Sequence, residues 1–162
     1  MFTGNEIVEL LRELRFSHVV MVPDSTLGLW EQAIDSATDL RLVRVCREGE
    51  AWAVAAGLYL AGQQPLVMIQ CTGLFESGDS LRNALHDYQL PLFAMIGYRS
   101  YLNQKNLPGD TAMIFTEPIL KAWNVDFHLI DEPAKISMIR EFHRECTEEQ
   151  KPGVVLIAEG RA

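Results

Sequence analysis

Apolar positions along the chain fall into two alternating rhythms. Ile7, Leu10, Leu11 and Leu14 repeat with the 3.6-residue period of an amphipathic helix, and Thr3-Gly-Asn-Glu6 ahead of them is a capping-box pattern. Residues 18–22 (His-Val-Val-Met-Val) are then a short unbroken apolar run, as in a buried strand, stopped by Pro23. Asp24 or Ser25 can cap a second helix reaching about Ser36, and residues 40–45 make a second strand. An alanine-rich helix runs from about Glu48 to Gly62. Further strands are predicted at 65–70 and 91–96, with a helix at 79–87 between them. A loop from Gly97 to about Asp110 leads into a helix through Trp123. A strand at 127–130, a helix at 133–148 and a strand at 153–158 complete the pattern. Six apolar strands separated by helices predict the α/β class. The architecture expected is a single doubly wound domain, residues 1–162, with a six-stranded parallel sheet covered on both faces.

Composition narrows the function classes. At 162 residues the chain has the size of one domain with a real core. A net charge of −8 offers no basic stripe to displace counterions, which argues against sequence-independent nucleic-acid binding. No run of about 18 apolar residues predicts a membrane span. Glu6, Glu9 and Glu13 break any basic-then-apolar leader pattern near the start. Cys46, Cys71 and Cys146 are an odd set without metal-like spacing, and the apolar surroundings of Cys46 and Cys71 predict buried free thiols, from which a reducing, cytoplasmic location is expected. The four histidines share no metal-ligand spacing. His18 and His128 fall beside strands and read as structural, whereas His86 and His143 fall on helices and are expected to face solvent. Trp30, Trp52 and Trp123 are expected to pack in the core or an interface.

Candidate chemistry lies on the segments that follow the strands, where open α/β sheets hold their ligands. These segments read Pro23-Asp-Ser-Thr26, Arg47-Glu-Gly-Glu50, Cys71-Thr-Gly-Leu-Phe-Glu-Ser-Gly78 and Gly97-Tyr-Arg-Ser100. Glu48 stands where strand becomes helix, ahead of Ala51, Ala53, Ala55, Ala56, Gly57 and Ala61. Such a thin helix permits close approach of another backbone or a flat ligand. An ordinary helix-start carboxylate, favoured by the helix dipole, is the alternative reading of Glu48. Arg99 could hold a substrate anion bidentately or form a surface ion pair. Asp24 and Ser25 could equally be helix caps, and Thr72-Gly73 a turn. Neither Gly-x-Gly-x-x-Gly, a Walker-type Gly-Lys-Ser/Thr nor Gly-x-Ser-x-Gly occurs at the required place, so the common nucleotide cradles and the serine-hydrolase elbow are not expected.

Taken in order, Val-Pro-Asp-Ser, Arg-Glu-Gly-Glu-Ala-Trp-Ala-Val-Ala-Ala-Gly, Pro-Leu-Val-Met-Ile-Gln-Cys-Thr-Gly-Leu and Ile-Gly-Tyr-Arg resemble the pyrimidine-binding domain of thiamine-diphosphate decarboxylases. The likeness is to the sulfopyruvate decarboxylase alpha subunit and phosphonopyruvate decarboxylase group, and it runs from the first helix to about Ile130. Its most specific element is Glu48 followed nine residues later by Gly57. The resemblance implies that Glu48 is the catalytic carboxylate, hydrogen-bonded to N1′ of the cofactor's aminopyrimidine. Sharing a proton there lets the 4′-nitrogen take the proton from the thiazolium C2, and the cofactor then holds the electrons as a 2-keto acid loses carbon dioxide. Glu50 is the competing carboxylate, but the family pattern gives it no such role. By the same likeness Pro23, Thr72 and Gly73 line the cofactor, while Asp24, Ser25 and Arg99 face the substrate. Two positions depart from the pattern. Arg47 stands where asparagine often precedes the glutamate, and the Gln or His of the loop after the fourth strand is not evident, Gln104 and Asp110 being the nearest polar residues.

The resemblance also implies a divided enzyme. In the family a second domain, carrying Gly-Asp-Gly and a downstream asparagine, binds the diphosphate and its magnesium. Here Gly78-Asp-Ser80 and Gly109-Asp-Thr111 do not continue to glycine. A separate diphosphate-binding beta subunit is therefore expected as partner, in a hetero-oligomer that shares the cofactor, with no metal held by this chain. A carboligase subunit and a non-catalytic assembly or regulatory subunit remain the alternative functions.

Overall fold

The computed structural model describes residues 2–159. Its first helix, α1 (Gly4–Glu13), begins with the expected capping box: Thr3 Oγ1 accepts from the Glu6 N–H, and the Glu6 carboxylate accepts from the Thr3 N–H at 2.7 Å. The chain then alternates through β1 (His18–Met21), α2 (Glu31–Ser36), β2 (Arg41–Arg44), α3 (Glu48–Leu60) and β3 (Pro65–Gln70). It continues as α4 (Cys71–Glu76), α5 (Gly78–Arg82), β4 (Phe93–Tyr98), α6 (Thr111–Ala122), β5 (Phe127–Ile130), α7 (Ile136–Glu149) and β6 (Gly153–Ala158). All six strands are parallel, in the order β2-β1-β3-β4-β6-β5.

Strand burial follows this order. β4 and β6 are buried at every position and β3 at all but its last, as central strands covered on both faces must be. The edge strand β2 leaves Arg41 and Arg44 exposed, and charged edges discourage pairing with another sheet. Alternate residues of each strand enter two separate cores. Val19, Met21, Leu66 and Met68 pack with α1, α2 and α7, whereas Val20, Val67 and Ile69 pack with α3, α4, α5 and α6. Trp52, fully buried, anchors α3 in the second core and donates its Nε1–H to Ser77 Oγ at 3.1 Å. The opposite side of α3 stays bare: Ala53, Gly57 and Leu60 are exposed, and nothing lies within 4 Å of where a Gly57 Cβ would stand. No helix among the described residues is long and apolar enough to cross a membrane.

Several sequence expectations need correction. Residues 71–76, read as part of a loop, form α4, because Gln70 ends β3 in extended backbone and Cys71 starts the helix at once. The second helix begins only at Glu31: Asp24 Oδ1 accepts from the Thr26 and Leu27 N–H groups, making a turn, and a single 3₁₀ turn (Gly28–Trp30) intervenes. The predicted helix at 79–87 changes to a π turn over Asn83–Asp87. Cys46 is exposed rather than buried, since it lies past the end of an edge strand; Cys71 and Cys146 are buried free thiols. His143 does not face solvent. It is half-buried, with its ring edge-on to Phe16 and Phe93 at centroid distances of 5.0 and 5.1 Å.

Burial lowers the His143 pKa from its ordinary value of 6.5. The folded state therefore binds this proton less readily than the unfolded chain. Its contribution to stability is intact above the ordinary value and is lost as pH falls through and below it. Comparing melting of the wild type with His143→Phe between about pH 7.5 and pH 5.5 should show the wild type losing more stability over that interval; equal losses would refute the assignment.

Candidate active site

β1 is the topological switch point, because the chain leaves it for β2 on one side and returns to β3 on the other. The crevice outside the carboxyl ends of β1 and β3 is thus the place where such a sheet receives a ligand. Side chains bridge this crevice. Gln70, the last residue of β3, donates Nε2–H to Thr26 Oγ1 at 3.1 Å and to Ser25 Oγ at 3.4 Å. Thr72 Oγ1 donates to Gln70 Oε1 at 3.0 Å, and Thr26 Oγ1 donates to the carboxylate of Glu159, just past β6, at 2.6 Å. Gly97 makes room for the loop after β1: a Cβ there would lie 2.7 Å from the Thr26 side chain. Asp24 lies on that loop with one oxygen fixing the turn and the other, Oδ2, buried without a hydrogen-bond partner among the described residues.

Three carboxylates gather at the start of α3, and their partners separate them. Glu50 reaches back to accept from the Cys46 N–H at 3.0 Å. Glu76, from the end of α4, accepts from the Gly49 N–H at 2.8 Å and pairs with Arg47; both interactions, the backbone one first, hold its pKa below the ordinary value. Glu76 thus satisfies an orphan donor of the helix terminus, and Glu50 ties the helix to the residue before its cap. Glu48, at the first helical position, is half-buried and accepts no hydrogen bond among the described residues. Its side chain crosses the backbone of buried Gly73: a Cβ built there would lie 2.5 Å from Glu48 Cδ and Oε1. Glycine at 73 is thus the cradle that lets this carboxylate lie between α3 and α4.

Glu48, Thr72, Gly73, Asp24 and Ser25 are accordingly brought to one edge of the sheet, with Pro23 exposed on the same loop. Arg99 stands apart. It is exposed after β4, its backbone N–H faces the Cys71 thiol, and its charge acts on Asp110. Asp110 is held below its ordinary pKa first by the Ser100 hydroxyl and also by capping α6 through the Ala112 N–H at 3.0 Å. Burial raises the pKa of the Cys71 thiol, which disfavours the thiolate. Gln70 and Glu159 were not singled out from the sequence. The available signal was a polar residue directly after an apolar strand run, which both satisfy. A separate hollow of about 80 Å³, lined by Phe16, Tyr59, Phe93 and His143 among others, opens at the amino-terminal edge of the sheet and touches none of these groups. Among the described residues no three His, Cys, Asp or Glu side chains group as a metal site would require.

Residues 1–113 match the family model of the thiamine pyrophosphate enzyme, N-terminal TPP binding domain. The chain belongs to this family. The alpha subunit of sulfopyruvate decarboxylase from Methanocaldococcus jannaschii is 24% identical over 107 residues, covering 66% of this chain and 63% of that protein. Phosphonopyruvate decarboxylase from Streptomyces viridochromogenes is 29% identical over 133 residues, covering 82% of this chain and 34% of that protein. The chain thus spans less than two thirds of the curated relatives it matches. Benzoylformate decarboxylase from Polynucleobacter necessarius superposes with a TM-score of 0.78 at 24% identity, over 98% of this chain and 30% of its own; the likeness establishes the shared fold.

The overlap of Glu48 with position 73 can be measured without any ligand. Gly73→Ala should destabilise the chain by about 1–3 kcal/mol in urea unfolding, because the added methyl must push a side chain aside. In a Glu48→Ala background the same substitution should cost far less. Equal costs in both backgrounds would mean that the two residues do not meet.

Proposed function

We propose that this chain is the pyrimidine-binding alpha subunit of a thiamine-diphosphate-dependent 2-keto acid decarboxylase, acting on a sulfopyruvate- or phosphonopyruvate-like substrate. The observation that carries the reading is the Glu48 carboxylate. It lies at the carboxyl edge of the sheet, half-buried against a glycine, while its two neighbours are occupied by backbone donors. A half-buried acid that accepts no hydrogen bond among the described residues suits a group that must share a proton with a ring nitrogen. The donor set and the glycine cradle fit an aminopyrimidine.

In this reading Glu48 holds and exchanges the proton at N1′, and Gly73 keeps space for both carboxylate and ring. Pro23 and Thr72 flank the ring. Asp24 and Ser25 border the adjoining substrate space, and the Arg99 guanidinium meets the second anionic group of the keto acid. Bound thiamine diphosphate supplies the electron sink for decarboxylation. The diphosphate and magnesium fall to a separate beta subunit carrying Gly-Asp-Gly, a sequence this chain lacks. The name "subunit alpha" borne by several relatives supports a divided enzyme. So does the exposed apolar side of α3 around Ala53, Gly57 and Leu60, a surface that a helix apolar all round leaves for a second protein.

The test is Glu48→Gln in the reconstituted two-subunit complex. Decarboxylation should fall by roughly 10²–10⁴-fold while the complex keeps its mass. Undiminished turnover would favour a non-catalytic assembly role, and tight magnesium-dependent cofactor binding by this chain alone would remove the need for a partner.

A further inference from the structure

The proposed chemistry occupies Glu48 and Gly73 and leaves a second carboxylate, Glu159, at the far end of the same hydrogen-bonded edge. Glu159 is 133 residues from Thr26 in sequence, yet its Oε2 lies 2.6 Å from the Thr26 hydroxyl. We propose that Glu159, through Thr26 and Gln70, is a positioning residue that fixes Thr72 as a hydrogen-bond acceptor beside Glu48.

The direction of each bond follows from its neighbour. The Thr26 hydroxyl donates to the Glu159 carboxylate oxygen. With its proton committed, Thr26 Oγ1 can only accept from Gln70, which turns the amide Nε2 toward it, at 3.1 Å. The other end of the amide, Oε1, then faces Thr72 and takes the hydroxyl proton at 3.0 Å. The same Nε2 supplies its second hydrogen toward Ser25 at 3.4 Å. One carboxylate at the end of β6 therefore orients an amide whose two atoms are otherwise interchangeable. The chain crosses the switch-point crevice from β6 over β1 to β3. Thr26 is 6% exposed, and Gly97 shapes the space its side chain fills, so the alignment is built into the packing.

The consequence falls on the residue next to Gly73. Because the Thr72 proton is directed at Gln70, its oxygen offers lone pairs only. A ligand edge lying against Glu48 and Thr72 must then present an N–H or O–H donor to Thr72. The inference rests on the thiamine diphosphate reading for the identity of that ligand, and on the chain's own geometry for the hydrogen bonds.

Two measurements decide it. In the isolated chain, Thr26→Val, which keeps the side-chain shape, should shift the Gln70 side-chain amide resonances in NMR, and Thr26→Ser should return them to their wild-type positions. Unmoved resonances in Thr26→Val would overturn the bond order. In the complex with the partner subunit, Thr26→Val should lower kcat/KM about tenfold, with Thr26→Ser restoring most of it. Gln70→Glu cannot donate to Thr26 until it is protonated, so its activity relative to wild type should rise as pH falls. Wild-type kinetics in Thr26→Val, or a Gln70→Glu deficit that does not change with pH, would reduce these residues to space-filling and overturn the proposal. A wild-type complex that fails to bind thiamine diphosphate would sink the functional reading instead, and the NMR result would still decide the hydrogen-bond chain.

Discussion

The Glu48 side chain lies across the backbone of Gly73, and this overlap joins the β2–α3 unit to the β3–α4 unit at the carboxyl edge of the sheet. The two segments follow strands on opposite sides of β1, so the contact spans the switch point of the sheet. A side chain at 73 would occupy the volume the carboxylate now fills. The arrangement therefore couples a local fact, a residue without a Cβ, to a topological one. It leaves a half-buried acid at the carboxyl edge of the sheet.

The surroundings of that acid show how a helix terminus can be satisfied without consuming it. Glu50 and Glu76 take the backbone donors around the start of α3, and Arg47 is tied to Glu76. Glu48 still gains from the helix dipole. Arg47 thus has a structural partner, which accounts for an arginine beside the acid without assigning it to the substrate. The polar chain from Thr72 to Glu159 closes the opposite rim of the crevice, linking β3, β1 and β6 through side chains. The exposed, apolar side of α3 faces away from Trp52 and the core, so the same helix can present its acid and a surface for a second protein.

Much of this was legible in the sequence. The strands over 65–70, 127–130 and 153–158 fall where the apolar runs predicted them, because Pro65 and Gly153 punctuate two of the runs and Phe127 starts a short one between polar residues. Thr3 and Glu6 read correctly as a cap, since that signal is entirely local. Glu48 and Thr72-Gly73 were legible as residues that follow strands, and the resemblance gave them their expected roles; the hydrogen-bond partners now distinguish Glu48 from Glu50. α4 escaped because Cys-Thr-Gly has the composition of a turn, yet the chain needs a helix there to bring Gly73 under Glu48. Cys46 and His143 were misplaced for a related reason: exposure depends on whether a strand is at an edge and on what a helix packs against. Gln70 and Glu159 gave no spacing signal, since their partners lie 44 and 133 residues away.

The central claim is that the Glu48 carboxylate meets the aminopyrimidine of thiamine diphosphate. A crystal structure of the two-subunit complex with magnesium and the cofactor tests it most directly. The account predicts a Glu48 carboxylate oxygen within about 2.6–3.2 Å of the N1′ atom, above an undisplaced Gly73. A pyrimidine held by other residues, with Glu48 turned away from it, would contradict the account.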